Sequence, residues 1–168
     1  IKGPSIIGLS FDGNIKPKLE VLKECLSLTE VEMRGIVLNA PWVISTSRVG
    51  LRPKIKWLQG TFGLDRKNLL DVLRNKGILL YSNLDKTLLP NFSFWMECLS
   101  DLSDAEAKEI ILNHPHDLKQ SNEKLQKRAA LFEAHGVPQS LLLGKATYSN
   151  DRLKKWIGRQ STENNVAQ

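Results

Sequence analysis

Apolar and polar positions recur along this chain with the 3.6-residue period of helices, and the helices recur with a longer period of their own. Leu28, Leu64 and Leu102 are each followed by a residue suited to start a helix: Thr29, Asp65 and Ser103. Thr29-x-x-Glu32 and Ser103-x-x-Glu106 have the spacing of capping boxes, and Asp65 is a good N-cap. Twelve residues after each cap stands a helix-ending residue: Pro41, Gly77 and Pro115. In between, Ile36, Val37 and Leu38 agree in phase with Val72 and Leu73 and with Ile110, Ile111 and Leu112. A short stretch follows each stop (Trp42-Val43-Ile44, Ile78-Leu79-Leu80, His116-Asp117-Leu118), then a serine (Ser47, Ser82, Ser121), then a second, longer helix. That helix carries Pro53 in one copy and Pro90 in the next, both expected near its first turn, where proline costs little; Lys127 takes the place in the third. It closes around Gly63, Leu99 and Gly136.

The caps lie 36 and 38 residues apart, which predicts a repeat of two helices and a short third turn. An incomplete copy opens the chain with Pro4, Pro17 and a helix over Lys18–Leu26. A further unit begins at Val137-Pro138, with short helices expected over Gln139–Lys145 and Asn150–Gly158 and with Leu153, Trp156 and Ile157 facing inward. No run alternates as a strand would. The fold class is therefore all-α: a curved α-solenoid, of either hand, built from helix–helix–3₁₀ repeats of 36–38 residues. One domain is expected over 1–160, with units at 1–27 (partial), 28–63, 64–101, 102–136 and 137–160, and 161–168 as a polar, flexible tail.

Charge sharpens this picture. No Asp or Glu occurs between Glu32 and Asp65, while Arg48, Arg52, Lys54 and Lys56 lie in that interval. Leu51, Ile55, Leu58 and Phe62 form one stripe of a helix, and Arg48, Arg52 and Lys56, four apart, form another. Stacked cations repel by a few tenths of a kcal/mol per pair, and a polyanion along that side reverses the sign. The net charge of +6 is unevenly spread. Residues 1–60 carry nine cations against five anions, 61–120 seven against nine, and 121–168 eight against four. Both ends are basic and the middle is slightly acidic, a pattern suited to phosphates at two separate places.

Chemistry of other kinds finds little support. His114-Pro115-His116-Asp117 lacks a third ligand of metal-site type, and the proline turns the two imidazoles apart. Leu143-Gly144-Lys145-Ala146-Thr147 is half a P-loop with Gln139 where the first glycine belongs. Asp101, Asp104, Glu106 and Glu109 read as caps and solvated charge rather than paired catalytic carboxylates. Cys25 and Cys98 read as two buried thiols rather than a disulfide. Trp42, Trp57, Trp95 and Trp156 read as packing between units rather than as base-stacking groups, although Trp42, in a turn, could stack on an unpaired base. The expectation is a non-enzyme with no cofactor and no metal. No stretch approaches the roughly 18 apolar residues of a membrane span, so no membrane partner is expected. The chain opens at Ile1 without a methionine, which reads as a mature form or a fragment with any targeting peptide out of sight.

The motifs Ala40-Pro41-Trp42-Val43-Ile44 and Leu51-Arg52-Pro53-Lys54-Ile55-Lys56-Trp57-Leu58 resemble the P-x-x-(I/L) and L-x-P-K-(I/L)-x-x-L elements of the mitochondrial transcription termination factor (mTERF) family. Leu89-Pro90-Asn91-Phe92 and Leu125-Gln126-Lys127-Arg128 are degraded versions of the second element. Ser140-Leu141-Leu142-Leu143-Gly144 and Thr147–Leu153 look like the usual end of such proteins. The resemblance covers about 4–155 and implies stacked helix–helix–3₁₀ units acting on DNA or RNA in mitochondria, or alternatively chloroplasts. Gly77, where a proline is expected, and a middle poor in basic residues depart from it. A pentatricopeptide-type RNA reader, with a unit near 35 residues, lacks this proline rhythm.

The resemblance and the charge pattern together favour an organellar, non-enzymatic nucleic-acid binder, with structured RNA such as ribosomal RNA preferred over duplex DNA. Duplex recognition draws on about six to ten neutralised phosphates in a continuous track. A folded RNA brings separated phosphates to separated patches. The candidate contacts are Arg48, Arg52, Lys54 and Lys56; Lys16 and Lys18; Lys124, Lys127 and Arg128; and Arg152, Lys154 and Lys155. The alternatives are a duplex-DNA-binding termination or regulation factor, and a scaffold holding ribosomal or other ribonucleoprotein proteins.

Overall fold

All three start signals form. The Thr29 N–H and hydroxyl donate to the Glu32 carboxylate while the Glu32 N–H donates back to the Thr29 hydroxyl. The Asp65 side chain accepts from the Asn68 N–H at 2.7 Å, and Ser103 with Glu106 makes a reciprocal capping box. The computed structural model describes residues 11–39, 41 and 46–166, and every regular element among them is helical. The turn expected at Trp42–Ile44 and the opening copy around Pro4 lie outside the described residues.

The single domain expected over 1–160 divides into two compact units, Ile1–Leu84 and Asp85–Gln168. The first holds a π-helical turn at Phe11–Ile15 and then α1 (Lys16–Leu26), α2 (Glu30–Asn39), α3 (Arg48–Phe62), α4 (Arg66–Lys76) and the short α5 (Ile78–Tyr81). Helices in like positions of successive repeats pack on each other: α1 on α3, and α2 on α4. Leu22, Leu26, Ile36, Leu51, Ile55, Leu58, Leu69 and Leu73 fill the space between them and are almost wholly buried. The stripe read from Leu51, Ile55 and Leu58 is thus the packed face of α3, and Arg52 and Lys56 are exposed.

The second unit holds α6 (Leu89–Cys98), α7 (Asp104–Asn113), the short α8 (Pro115–Leu118), α9 (Asn122–Ala134), a 3₁₀ turn at Gln139–Leu142 and α10 (Asn150–Val166). A π-helical turn, Leu84–Leu88, leads into α6. Here α6 packs on α7 and on the 3₁₀ turn, and α9 packs on that same turn. Trp95, Ile111, Leu118, Leu125, Phe132, Leu142, Leu153 and Ile157 are its buried core. The helix expected over Asn150–Gly158 continues to Val166, into the segment expected as tail.

The second helices α1, α3 and α9 close by a shared device, whereas α6 ends at Leu99 with φ −110°. The N–H groups of Leu28, Leu64 and Val137 reach back five residues to the carbonyls of Lys23, Gln59 and Phe132. The residue before each takes a left-handed backbone: Ser27 at φ 48°, Gly63 at 59° and Gly136 at 65°. Gly77 ends its helix as expected, but without this device. Its φ is −57°, so it ends α4 in the right-handed region and passes the chain directly into α5.

The prolines need one correction. Pro17 and Pro90 sit in the first turns of α1 and α6, as expected, each just after a π-helical turn. The wider turn relieves the clash of the proline ring with the carbonyl four residues back. Pro53 instead lies inside α3, because that helix already starts at Arg48 behind Ser47. Pro53 and Val49 are both exposed, which leaves water to satisfy the carbonyl that the proline cannot bond.

Candidate nucleic-acid interface

Residue by residue, the predicted cations divide into struts and surface. Lys54 is 6% exposed, and its ammonium donates to the Leu80 carbonyl at 2.7 Å, where the Thr46 hydroxyl also donates. Burial pushes its pKa down. Arg128 is 5% exposed and spends its guanidinium on the carbonyls of Lys145, Ala146 and Tyr148 and on the Asn150 side chain. Both therefore serve first as struts, although the edge of Arg128 also borders a groove on the second unit.

Their places in the repeat explain why. Lys54, Asn91 and Arg128 are 37 apart and stand directly after Pro53, Pro90 and Lys127. Asn91 is fully buried, and its amide donates to the carbonyls of Leu118 and Gln120. In each copy this position sends a donor to backbone carbonyls in or next to the turn that follows. A buried carbonyl left without a partner costs about 1–3 kcal/mol, a cost that Asn91 and Arg128 offset and that Lys54 offsets together with Thr46. The signal was available as a period of 37 in hydrogen-bond donors, not in charge.

The remaining cations lie on the surface. Arg52 is exposed and pairs with Glu24 at 3.1 Å. It borders an open groove with Pro17, Glu20, Val21, Glu24, Val49 and Pro53, so two carboxylates offset its charge. Lys16 is exposed and Lys18 half-buried on α1, and Lys56 is exposed on α3. Arg48 opens α3; its side chain lies outside the described set. Among the described side chains of the first unit, Arg52 is thus brought to carboxylates rather than into a groove shared with Lys16, Lys18 or Lys56.

The second unit does gather them. An open groove of 460 Å³ between α9 and α10 is lined by Lys124, Lys127 and Lys154 and the edge of Arg128, together with Ser121, Asn150 and a single carboxylate, Glu123. Two sequence clusters, one on each helix, thus meet. Ser121 caps α9 by accepting from the Lys124 N–H, and the Ser149 hydroxyl accepts from the Arg152 N–H to start α10. Lys127 pairs with Glu123 at 2.6 Å, with both side chains exposed, a contact worth little in water. Lys124 donates to the Gln120 side chain at 2.8 Å. Burial and the neighbouring Arg128 charge push its ammonium pKa down, and an anion in the groove would relieve that. Arg152 and Lys155 face another groove on α10.

Other singled-out groups are engaged in packing. Asp117 is buried and accepts from the Gly144 N–H, and His114 Nδ1 lies 2.9 Å from the Ile110 carbonyl. Gly144 adopts φ 78°, and a Cβ there would meet His114 Nε2 at 3.3 Å. Cys25 and Cys98 are free and half-buried rather than fully buried; burial and Glu97 raise the Cys98 thiol to about 11. Trp57 meets Phe62 edge-on, Trp95 meets Phe94 edge-on, and Trp156 stacks on Phe132. Trp42 lies outside the described residues. No helix among the described residues is long and apolar enough to cross a membrane.

Repeats of paired helices, with a lysine-lined groove in the second unit, define an all-α helical-repeat protein. The chain belongs to the mTERF family, whose model matches residues 1–143. No curated protein and no solved structure matches it. Membership points to an organellar nucleic-acid-binding helical-repeat protein.

Proposed function

We propose that this protein is a non-enzymatic binder of structured RNA in an organelle, the mitochondrion before the chloroplast, and that it acts with ribosomal RNA as a ribosome-associated or assembly factor. The observation that carries this reading is the meeting of Lys124, Lys127 and Lys154 in one groove against a lone carboxylate. Three ammonium groups on two helices suit phosphates that a folded strand brings close together. A continuous duplex track would ask for more. Residues 61–120 hold nine anions against seven cations, and in the first unit Arg52 faces Glu20 and Glu24. The remaining contacts in the proposal are Lys16, Lys18, Arg48, Arg52 and Lys56, and on α10 Arg152 and Lys155.

The test is equilibrium binding at matched salt to a folded ribosomal RNA fragment and to a duplex DNA of equal phosphate count. The RNA should bind at least about tenfold more tightly. Tighter duplex binding would transfer the case to a transcription-termination role. Binding to neither would favour a protein scaffold, for which Val31 and Leu38, seven apart on α2 and 82% and 70% exposed, supply apolar surface.

A further inference from the structure

The face of α10 turned away from the lysine groove carries a second open groove, lined by Tyr148, Ser149, Asp151, Arg152, Lys155, Trp156 and Arg159. Every one of these residues lies beyond the stretch that the family model matches. From Arg152, spacings of three and four reach Lys155 and Arg159, which places all three cations on one ridge of the helix. Two aromatic rings sit at the base of that ridge, and both are already set against cations. The Arg152 guanidinium carbon is 3.8 Å from the Tyr148 ring centre, and the Lys145 ammonium is 4.6 Å from the Trp156 ring centre. Trp156 is braced from within by Phe132, with ring centres 5.5 Å apart and planes inclined by 20°.

We propose that this groove binds a single-stranded RNA segment, with an unpaired base stacked on the outer plane of the Arg152 guanidinium. The reading rests on the RNA-binding function above and adds the substrate class of a separate site. A guanidinium whose carbon lies 3.8 Å from a tyrosine ring centre is held there by a cation–π contact, and its other side offers a platform for a flat, polarisable base. Lysine could not do this, because an ammonium offers charge without a plane. Lys155 and Arg159 then take the phosphates on either side of the stacked nucleotide, and Asp151 accepts from a base amino group. An acidic peptide would use the cations but not the plane. That distinction makes the proposal testable.

The probe is a ten-nucleotide RNA with 2-aminopurine at its centre, whose fluorescence falls on stacking, and binding is followed by both quenching and anisotropy. Wild-type protein should quench the probe. Arg152→Lys, which keeps the charge and the fold, should lose the quenching and about tenfold in affinity. Tyr148→Leu should lose the quenching as well, and Lys67→Gln, at an exposed lysine on α4, should keep it. Circular dichroism confirms that each variant is folded. Quenching unchanged in Arg152→Lys, or a ten-residue oligoglutamate binding as tightly as the RNA, would overturn the proposal. If the folded ribosomal fragment binds but the single strand does not, this site falls and the RNA reading stands. If neither binds, both fall.

Discussion

Lys54 and Arg128 show how far a single side chain's role depends on where its partner lies. By charge alone both belong to the basic surface, yet each has a long aliphatic stem that can be buried while the head reaches a carbonyl. For Lys54 that carbonyl, Leu80, is 26 residues away. The Thr46 hydroxyl donates to the same oxygen at 2.9 Å, so Lys54→Met leaves it partnered. We expect Lys54→Met to change unfolding free energy by less than about 1 kcal/mol in urea titrations, with RNA affinity within twofold of wild type. Of the carbonyls that Arg128 serves, that of Lys145 keeps a second donor, the Tyr148 N–H at 2.9 Å. Arg128→Met would strip the Arg128 donor from the carbonyls of Ala146 and Tyr148, and should cost about 2–3 kcal/mol in the same titration. Arg128→Lys should recover only part of it, since one ammonium cannot fork as a guanidinium does.

The elements were legible to different depths. Helix starts were clear because their chemistry is local: a cap and its partner lie three residues apart, and Thr29, Asp65 and Ser103 all cap as expected. Proline placement was less clear, since whether Pro53 falls in the first turn or inside depends on which residue opens α3. The groove lysines were named, but their meeting was not, because Lys127 and Lys154 are joined only by the packing of the second unit. Arg66 was missed altogether. It opens α4, donates to the Leu26 and Ser27 carbonyls and pairs with Glu32 at 2.9 Å, tying three elements together. The Arg66 hydrogen bond, helped by the Thr29 N–H, holds the Glu32 carboxyl near 2, against an ordinary 4.5. A carboxyl depressed on folding stabilises above its unfolded pKa and stops doing so as pH falls through the folded one. Stability should therefore drop between pH 4.5 and 2, and Arg66→Met should flatten that portion of the curve. Urea midpoints at pH 6, 4.5 and 3 would show it; an equal drop in the variant would mean that other carboxyls control acid unfolding.

For the whole molecule, the repeat was legible because it is written three times, in caps, stops and prolines, and each copy corrects the others. The site was less so, because a surface groove depends on charge left over after the fold has taken what it needs. Here the fold takes Lys54 and Arg128 into its interior and sets Arg52 beside two carboxylates. In the second unit, cations of α9 and α10 meet in one groove. The most direct measurement is the salt dependence of binding to the folded ribosomal RNA fragment, for wild type and for the Lys127→Gln/Lys154→Gln double variant. If the groove takes phosphates, affinity should fall uniformly, and the slope of log affinity against log salt should shrink by about one unit per lysine removed. An unchanged slope with unchanged affinity would mean that these lysines are merely solvated and that the groove is not the RNA site.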